Sequence, residues 1–499
     1  MHLLHRILLL LMVLVLPRLG KAELAWTPHT LAAYKACLEL DVAECDRQLA
    51  LERRAHPENR MMALVESQRD FLLAIAQEDE DAIDRIMQKS PDRIRMLREG
   101  GKKSPYQRLG IAEIHFHSAV VTIRSQNSLF NGTLELRKSF LLLEENRKLY
   151  PDFLPNLKLL GLFHAVSGTI PRNYQWAASL LGFRGTIGQG IDELNRVFNQ
   201  SGNQQKWGYL REECIVLLSY LETRLAKKTD WNRMLERVTQ HPDYTTRPLL
   251  VFAASGILSA AGRNDSLIRL LELQASATGK RIPYLRYALG IARLQNLDPV
   301  AATDFSAYLK FYSGKAYRQS SIQKLAWIKA IAGDLSGYTK TLEVIRTSDI
   351  DDCMTDEDKA AVSEAQKGVA PQPRLLKARL LFDGGYYTRA AEQVSLIPVQ
   401  QLSKEQQLER TYRLARIRDK SGRTSEATPL YTTVFTEGKN LPYVYAANAA
   451  LSLGELYERS GNPAAARVWF EKTLELRHHE YQNSIDQKAR AGLDRIRNR

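Results

Sequence analysis

Apolar residues recur along this chain at three- and four-residue intervals, and short breaks of Gly, Asn, Asp or Pro separate the recurring stretches. That is the period of a helix with one buried face, and no stretch sustains the two-residue alternation of a half-buried strand. The pattern predicts helices joined by tight turns throughout. It is sharpest near the C-terminus, in LSLGELYERSGNPAAARVWFEKTLEL, where Leu453-Gly454 is followed by Tyr457, Gly461, Ala466 and Phe470. Small residues at 454 and 466 let two antiparallel helices approach closely, and Tyr457 and Phe470 fill the space beside them. Gly461 turns the chain between the two.

The same frame slides back through the sequence. It returns as Leu414-Ala415, Gly422, Ala427 and Tyr431, then as Ala378, Gly385 and Ala390. Earlier copies are Leu325-Ala326 with Gly333, and Leu289-Gly290 with Ala302. A register kept over five units is the mark of an array, and this order of small and large residues is the tetratricopeptide (TPR) signature. The fold class expected is all-α: a right-handed α-α superhelix, a TPR-like solenoid of helical hairpins. Residues 23–100 form an N-terminal helical segment, 101–245 a helical segment with a Gly-rich corner, 246–365 the middle repeats and 366–499 the C-terminal repeats.

Residues 1–22 stand outside this pattern. A charged start precedes an apolar run, Ile7 to Leu16, too short to span a bilayer comfortably, and Gly20 and Ala22 supply small residues before a cut. This reads as an export signal, placing the protein in the periplasm of a Gram-negative source; an N-terminal membrane anchor or full secretion are the alternatives. Loss of this segment removes three cations and no acid, bringing the formal charge from +14 to +11. Such a balance points to an acidic protein partner or a membrane surface, and in the envelope it argues against nucleic acid. The four cysteines, Cys37, Cys45, Cys214 and Cys353, lack zinc-site spacing. An oxidising compartment would allow Cys37 and Cys45 to pair across a helix-turn-helix; separately buried thiols is the reading preferred from sequence.

One stretch, GFRGTIGQG at 182–190, carries the glycine spacing of a phosphate-cradling loop. Such a loop follows a strand and ends in Lys-Ser or Lys-Thr. Here a helical pattern precedes it and Ile191-Asp192-Glu193 follows, which suits the first turn of a helix and repels phosphate. The glycines are read as a corner. No other arrangement points to catalysis or a metal: His115 and His117 lie two apart on different helix faces, the acidic run 349–359 reads as a solvated connector, and neither H-E-x-x-H nor G-x-S-x-G occurs. No catalytic residue, metal ligand or cofactor is assigned.

The run GLFHAVSGTIPRNYQWAASLLGFRGTIGQGIDELNRVF resembles the core signature of the tetratricopeptide repeat protein 39 and inclusion body clearance family, through Gly161, Phe163, Pro171, Gly182, Phe183, Gly185 and Gly190. The family's double proline is here Pro171-Arg172. The resemblance spans about residues 100–499 and implies a helical-repeat scaffold.

In a hairpin array the first helix of each pair lines the inner face. Arg379 and Arg416 fall at one position of consecutive repeats, Arg413, Arg416 and Lys420 share a helix face, and Arg459 matches Lys420 in the next unit. This strip, broken by Glu455, is the candidate binding surface, through charge-assisted hydrogen bonds to an anionic partner. The expected function is an exported TPR scaffold that docks a protein segment on its concave face. The alternative is a receptor for an anionic glycan or lipid, with Tyr386, Tyr387, Tyr412 and Trp469 lining its pocket.

Overall fold

A computed structural model describes residues 22–101, 103–125, 128–169, 182–203, 205–225, 230–274, 281–348, 355–479 and 481–497. Among the described residues there are 24 α-helices and no strand. The chain is all-α, a helical repeat in which consecutive helices pair. Pro171, Arg172, Cys353 and most of the leader lie outside the described residues. No described helix is long and apolar enough to cross a membrane.

The chain divides into two compact units, residues 1–227 with 247–249 and residues 228–246 with 250–499. The first contains α1 (Pro28–Leu38), α2 (Val42–Ala55), α3 (Met61–Gln77), α4 (Glu80–Glu99), α5 (Pro105–Ser125), α6 (Leu129–Leu149), α7 (Asn156–Ser167), α8 (Ile187–Asn203) and α9 (Arg211–Leu225). Its interior is unusually ionic. Asp70, fully buried, accepts from Arg69 and Arg85 at 2.9 Å and from Arg93 at 2.5 Å. Lys158 sits between Glu113 at 2.9 Å and Glu213 at 3.0 Å, and Tyr34 donates to Glu213. Buried charges persist only when paired in this way. His117 is also buried, hydrogen-bonded to Ser67 at 2.9 Å and stacked on Phe71, while His115 meets Glu135 at 2.6 Å.

In the second unit, α10 (Trp231–Thr239) leads to α11 (Pro248–Ala260), α12 (Asn264–Gln274), α13 (Tyr284–Gln295), α14 (Ala301–Phe311), α15 (Arg318–Ile331), α16 (Leu335–Arg346) and α17 (Asp356–Lys367). There follow α18 (Pro373–Asp383), α19 (Tyr387–Ser395), α20 (Lys404–Lys420), α21 (Thr424–Gly438), α22 (Tyr445–Arg459), α23 (Pro463–Glu475) and α24 (Gln482–Arg497). Six hairpins turn identically. Gly262, Leu297, Gly333, Gly385, Gly422 and Gly461 adopt left-handed backbone, with φ from 62 to 89°. In each turn the following N–H bonds the carbonyl five positions back at 2.8 to 2.9 Å, closing the helix C-terminus. Seven residues before each lies a buried small residue: Ser255, Gly290, Ala326, Ala378, Ala415 and Gly454.

Packing explains the small positions. A Cβ on Gly454 would come within 2.5 Å of the Phe470 ring, and one on Gly290 within 2.9 Å of Phe305. On its other side Phe470 abuts Gly492, so the ring is wedged between α22 and α24. The α13–α14 copy departs from the sequence reading by one residue. Its turn is longer, α14 starts at Ala301, and the fully buried small residue is Ala301 where Ala302 was expected. The α11–α12 hairpin, turning at Gly262, is a sixth copy that sequence reading had not counted, and the first unit contains another: α1 and α2 turn at Leu40, φ 54°, with Ala33 and Cys45 at the small positions.

The acidic run also differs from expectation. Residues 349–354 lie outside the described set, but Asp358 is fully buried and accepts from the backbone N–H groups of Tyr317 at 2.7 Å and Ser320 at 2.9 Å. It therefore closes the N-terminus of α15, where a carboxylate satisfies amides that lack helical partners.

Candidate binding groove

The first helices of the C-terminal hairpins lie side by side: α18 packs on α20, α20 on α22, and α22 on α24. Between them runs a groove of about 630 Å³. From α18 it takes Arg379 and Phe382; from α20, Tyr412, Arg413, Arg416, Asp419 and Lys420; from α22, Tyr445, Asn448, Ser452, Glu455 and Arg459; and from α24, Lys488. All five residues singled out from sequence, Arg379, Arg413, Arg416, Lys420 and Arg459, line this one groove. The repeat frame accounts for that: Arg379, Arg416 and Glu455 each stand six residues before a turn glycine, and Lys420 and Arg459 two before.

The five cations are not equivalent. Arg413 donates to Glu409 at 2.8 Å, Arg459 to Asp419 at 2.7 Å, and Arg379 lies 3.9 Å from Asp383. Arg416 instead lies over the Phe382 ring, 4.1 Å from its centroid, and near Tyr412. Among the described residues no carboxylate stands within ion-pair distance of Arg416, Lys420 or Lys488. A guanidinium flattened on an aromatic face is held in place while its edge stays open to an anion.

Of the two acids lining the groove, Asp419 accepts from Arg459, and half-buried Glu455 accepts no hydrogen bond among the described residues. Burial pushes its carboxyl above the usual range, although Arg459, Arg495, Lys488 and Lys420 pull it the other way. Asn448, Ser452, Glu455 and Arg459 occur at three- and four-residue spacing and so present one polar face of α22. Of these, Asn448 and Ser452 were missed from sequence, as was Lys488, because α24 lacks the turn glycine that set the register elsewhere.

Next along the same helix layer stands α15, packed on α18. Trp327 sits six residues before Gly333, the position Arg379 takes in α18, and Arg379 lies 5.0 Å from the Trp327 ring centroid. Lys324 lies 3.9 Å from that ring. Burial, then the nearby Arg379 charge, lowers its ammonium to about 7.

The aromatic residues offered for a glycan pocket are not brought together. Tyr386 donates to Asp265 at 2.5 Å, Tyr387 packs on Phe382, and Trp469 stands edge-on to Phe435; of the four, only Tyr412 lines the groove.

In the first unit the Gly-rich stretch has two roles. Gly182 and Gly185 precede α8 with positive φ, and a Cβ on Gly185 would meet the His164 backbone at 2.5 Å. Gly188 and Gly190, however, lie inside α8, which starts four residues before the expected Ile191 and is capped by Thr186 accepting from Gln189 N–H at 3.1 Å. A Cβ on Gly190 would meet the Gly161 carbonyl at 2.2 Å, so this glycine lets α7 and α8 cross in contact. Because α8 starts at Ile187, Asp192 and Glu193 fall in its second turn where the sequence reading had placed them in the first, and Glu193 instead binds His164 at 2.5 Å and Arg147 at 2.8 Å. Among the described residues one grouping could gather ligand atoms for a cation, Glu23, His56 and Glu58 within 4.8 Å, and nothing further marks it as a site.

No family model matches the chain, and no curated protein matches it. Solved structures to which it is similar include the TPR domain of P58(IPK), 14% identical over 84% of this chain and 96% of that one, with a TM-score of 0.22. The APC/C hetero-tetramer Cut9-Hcn1 is 14% identical over 95% of this chain and 97% of that one, with a TM-score of 0.23. The fold class stands on the helices, the repeated turns and the pairing described above.

Proposed function

We propose that this protein is an exported scaffold of the cell envelope that holds an acidic protein segment in the groove between α18, α20, α22 and α24, and that it performs no chemistry itself. The observation that carries this reading is the gathering of Arg416, Lys420 and Lys488, none in ion-pair contact with a carboxylate among the described residues, beside Phe382 and Tyr412. Open cations recognise carboxylates, and the aromatic walls accept apolar side chains between them. The export signal read in residues 1–22 and the excess of basic residues support the same reading. The resemblance to the tetratricopeptide repeat protein 39 family contributes scaffold character and no pathway.

The test is titration of the full chain with a fluorescein-labelled peptide of alternating glutamate and phenylalanine, followed by anisotropy. R416E/K420E is expected to weaken binding by roughly tenfold or more, whereas E455Q, which removes a repelling carboxylate, strengthens it by about two- to fivefold. Equal affinity in wild type and R416E/K420E would overturn the reading. Retention on phosphatidylglycerol vesicles that R416E/K420E abolishes, with no peptide binding, would replace the peptide with an anionic lipid.

A further inference from the structure

The turn between α1 and α2 is built like the hairpin turns of the second unit. Leu40 takes the left-handed conformation, and Asp41 N–H bonds the Ala36 carbonyl at 2.9 Å. This brings the last turn of α1 onto the first turn of α2, where Cys37 Sγ and Cys45 Sγ stand 3.3 Å apart. Both are buried, at 2% and 0% exposure. Cys45 fills the position that Ala390, Ala427 and Ala466 take in other hairpins, five residues after the turn, so a cysteine there is not demanded by packing. Cys214 is buried in α9.

We propose that Cys37 and Cys45 form a disulfide that staples the α1–α2 hairpin. A bonded pair needs Sγ atoms about 2 Å apart, and the remaining gap of about 1 Å is within reach of side-chain rotation. The bond is made by exchange with an external disulfide, such as glutathione disulfide or a protein disulfide oxidant. One thiolate attacks a sulfur of the oxidant, forming a mixed disulfide and releasing the first thiol. The second thiolate then attacks its partner's sulfur and releases the second thiol, so the two cysteines lose two electrons and two protons and the oxidant is reduced to two thiols. Closure precedes final packing, because neither thiol meets solvent in the folded chain. Burial also pushes the Cys37 thiol well above its usual range, which quenches the thiolate once the hairpin is packed. The loop closed is short, so the staple chiefly limits the unfolded chain near its start.

The experiment is to refold the full chain in a glutathione redox buffer, quench with acid, alkylate with iodoacetamide in denaturant and weigh the product. Two alkylated cysteines, Cys214 and Cys353, and one peptide cross-linked between Cys37 and Cys45 are expected. Reductant should lower the wild-type Tm by roughly 5 °C and leave Cys45→Ala, which places the residue of the other hairpins there, unmoved. Four alkylated cysteines, a cross-link to Cys214 or Cys353, or a wild-type Tm as indifferent to reductant as that of C45A would overturn the proposal. None of these outcomes bears on the groove.

Discussion

At the scale of single residues, the fold depends on a few positions where size or backbone conformation leaves no freedom. Gly422 has φ 77° and open space where a Cβ would go, so Gly422→Ala tests backbone conformation alone. It should cost about 1 kcal/mol, seen as a lower denaturation midpoint at unchanged slope. Phe470, fully buried between Gly454 and Gly492, tests packing instead, and Phe470→Ala should cost about 3–5 kcal/mol. The turns at Gly333, Gly385, Gly422 and Gly461 were legible in the sequence because glycine announces a left-handed turn, though the one at Gly262 was not counted. Leu40 holds the same conformation without that signal, which is why the α1–α2 hairpin was not counted among the copies, and the α13–α14 register slipped by one because its turn is longer. Asp358 was misjudged for a related reason: an acidic run looks solvated until a helix N-terminus is found pointing at one of its members.

At the scale of elements, charge is organised along helix faces and between them. Lys158 on α7 bridges Glu113 of α5 and Glu213 of α9, and Lys158→Met would leave buried Glu113 and partly buried Glu213 without their shared cation. A loss of about 3–5 kcal/mol at neutral pH is expected in equilibrium unfolding. Asp70 on α3 makes the complementary prediction for acid. Burial alone would raise its carboxyl, but Arg69 and Arg93 outweigh burial and hold it below the usual range. Its contribution is present above the ordinary aspartate range and is lost as pH falls through the depressed folded value. Asp70→Asn should therefore unfold more easily at neutral pH and show a flatter acid limb than wild type. In the second unit, Lys324 on α15, lowered to about 7 by burial and Arg379, runs the other way. The unfolded chain binds more protons between about 7 and 10, so stability rises with pH across that window. An acidic segment reaching the Arg379 end of the groove would favour the charged ammonium. Peptide binding near pH 7.5 should then take up protons, detected as a binding heat that depends on buffer ionisation enthalpy, and Lys324→Met should abolish the uptake.

At the scale of the whole molecule, the positive balance of the chain should make acidic-peptide binding weaken steeply with salt, as surface attraction is screened within about 8–10 Å at ordinary ionic strength. Titrations at rising sodium chloride check this, and a salt-independent affinity would assign the groove to apolar contacts. The sequence by itself determined the helical class, the hairpin frame and the helix face carrying Arg379, Arg413, Arg416, Lys420 and Arg459, because all of these follow from local periodicity and turn chemistry. Two of the pairings that occupy those cations, Arg413 with Glu409 and Arg379 with Asp383, are four residues apart on one helix and so were also within reach of the sequence. Tertiary structure alone decided the pairing of Arg459 with Asp419, which joins neighbouring hairpins. It likewise decided that Gly190 serves a helix crossing against Gly161, and that two cysteines eight residues apart meet across a turn whose left-handed residue is a leucine. Periodicity records which face of a helix is buried; what that face meets is fixed only when the helices pack.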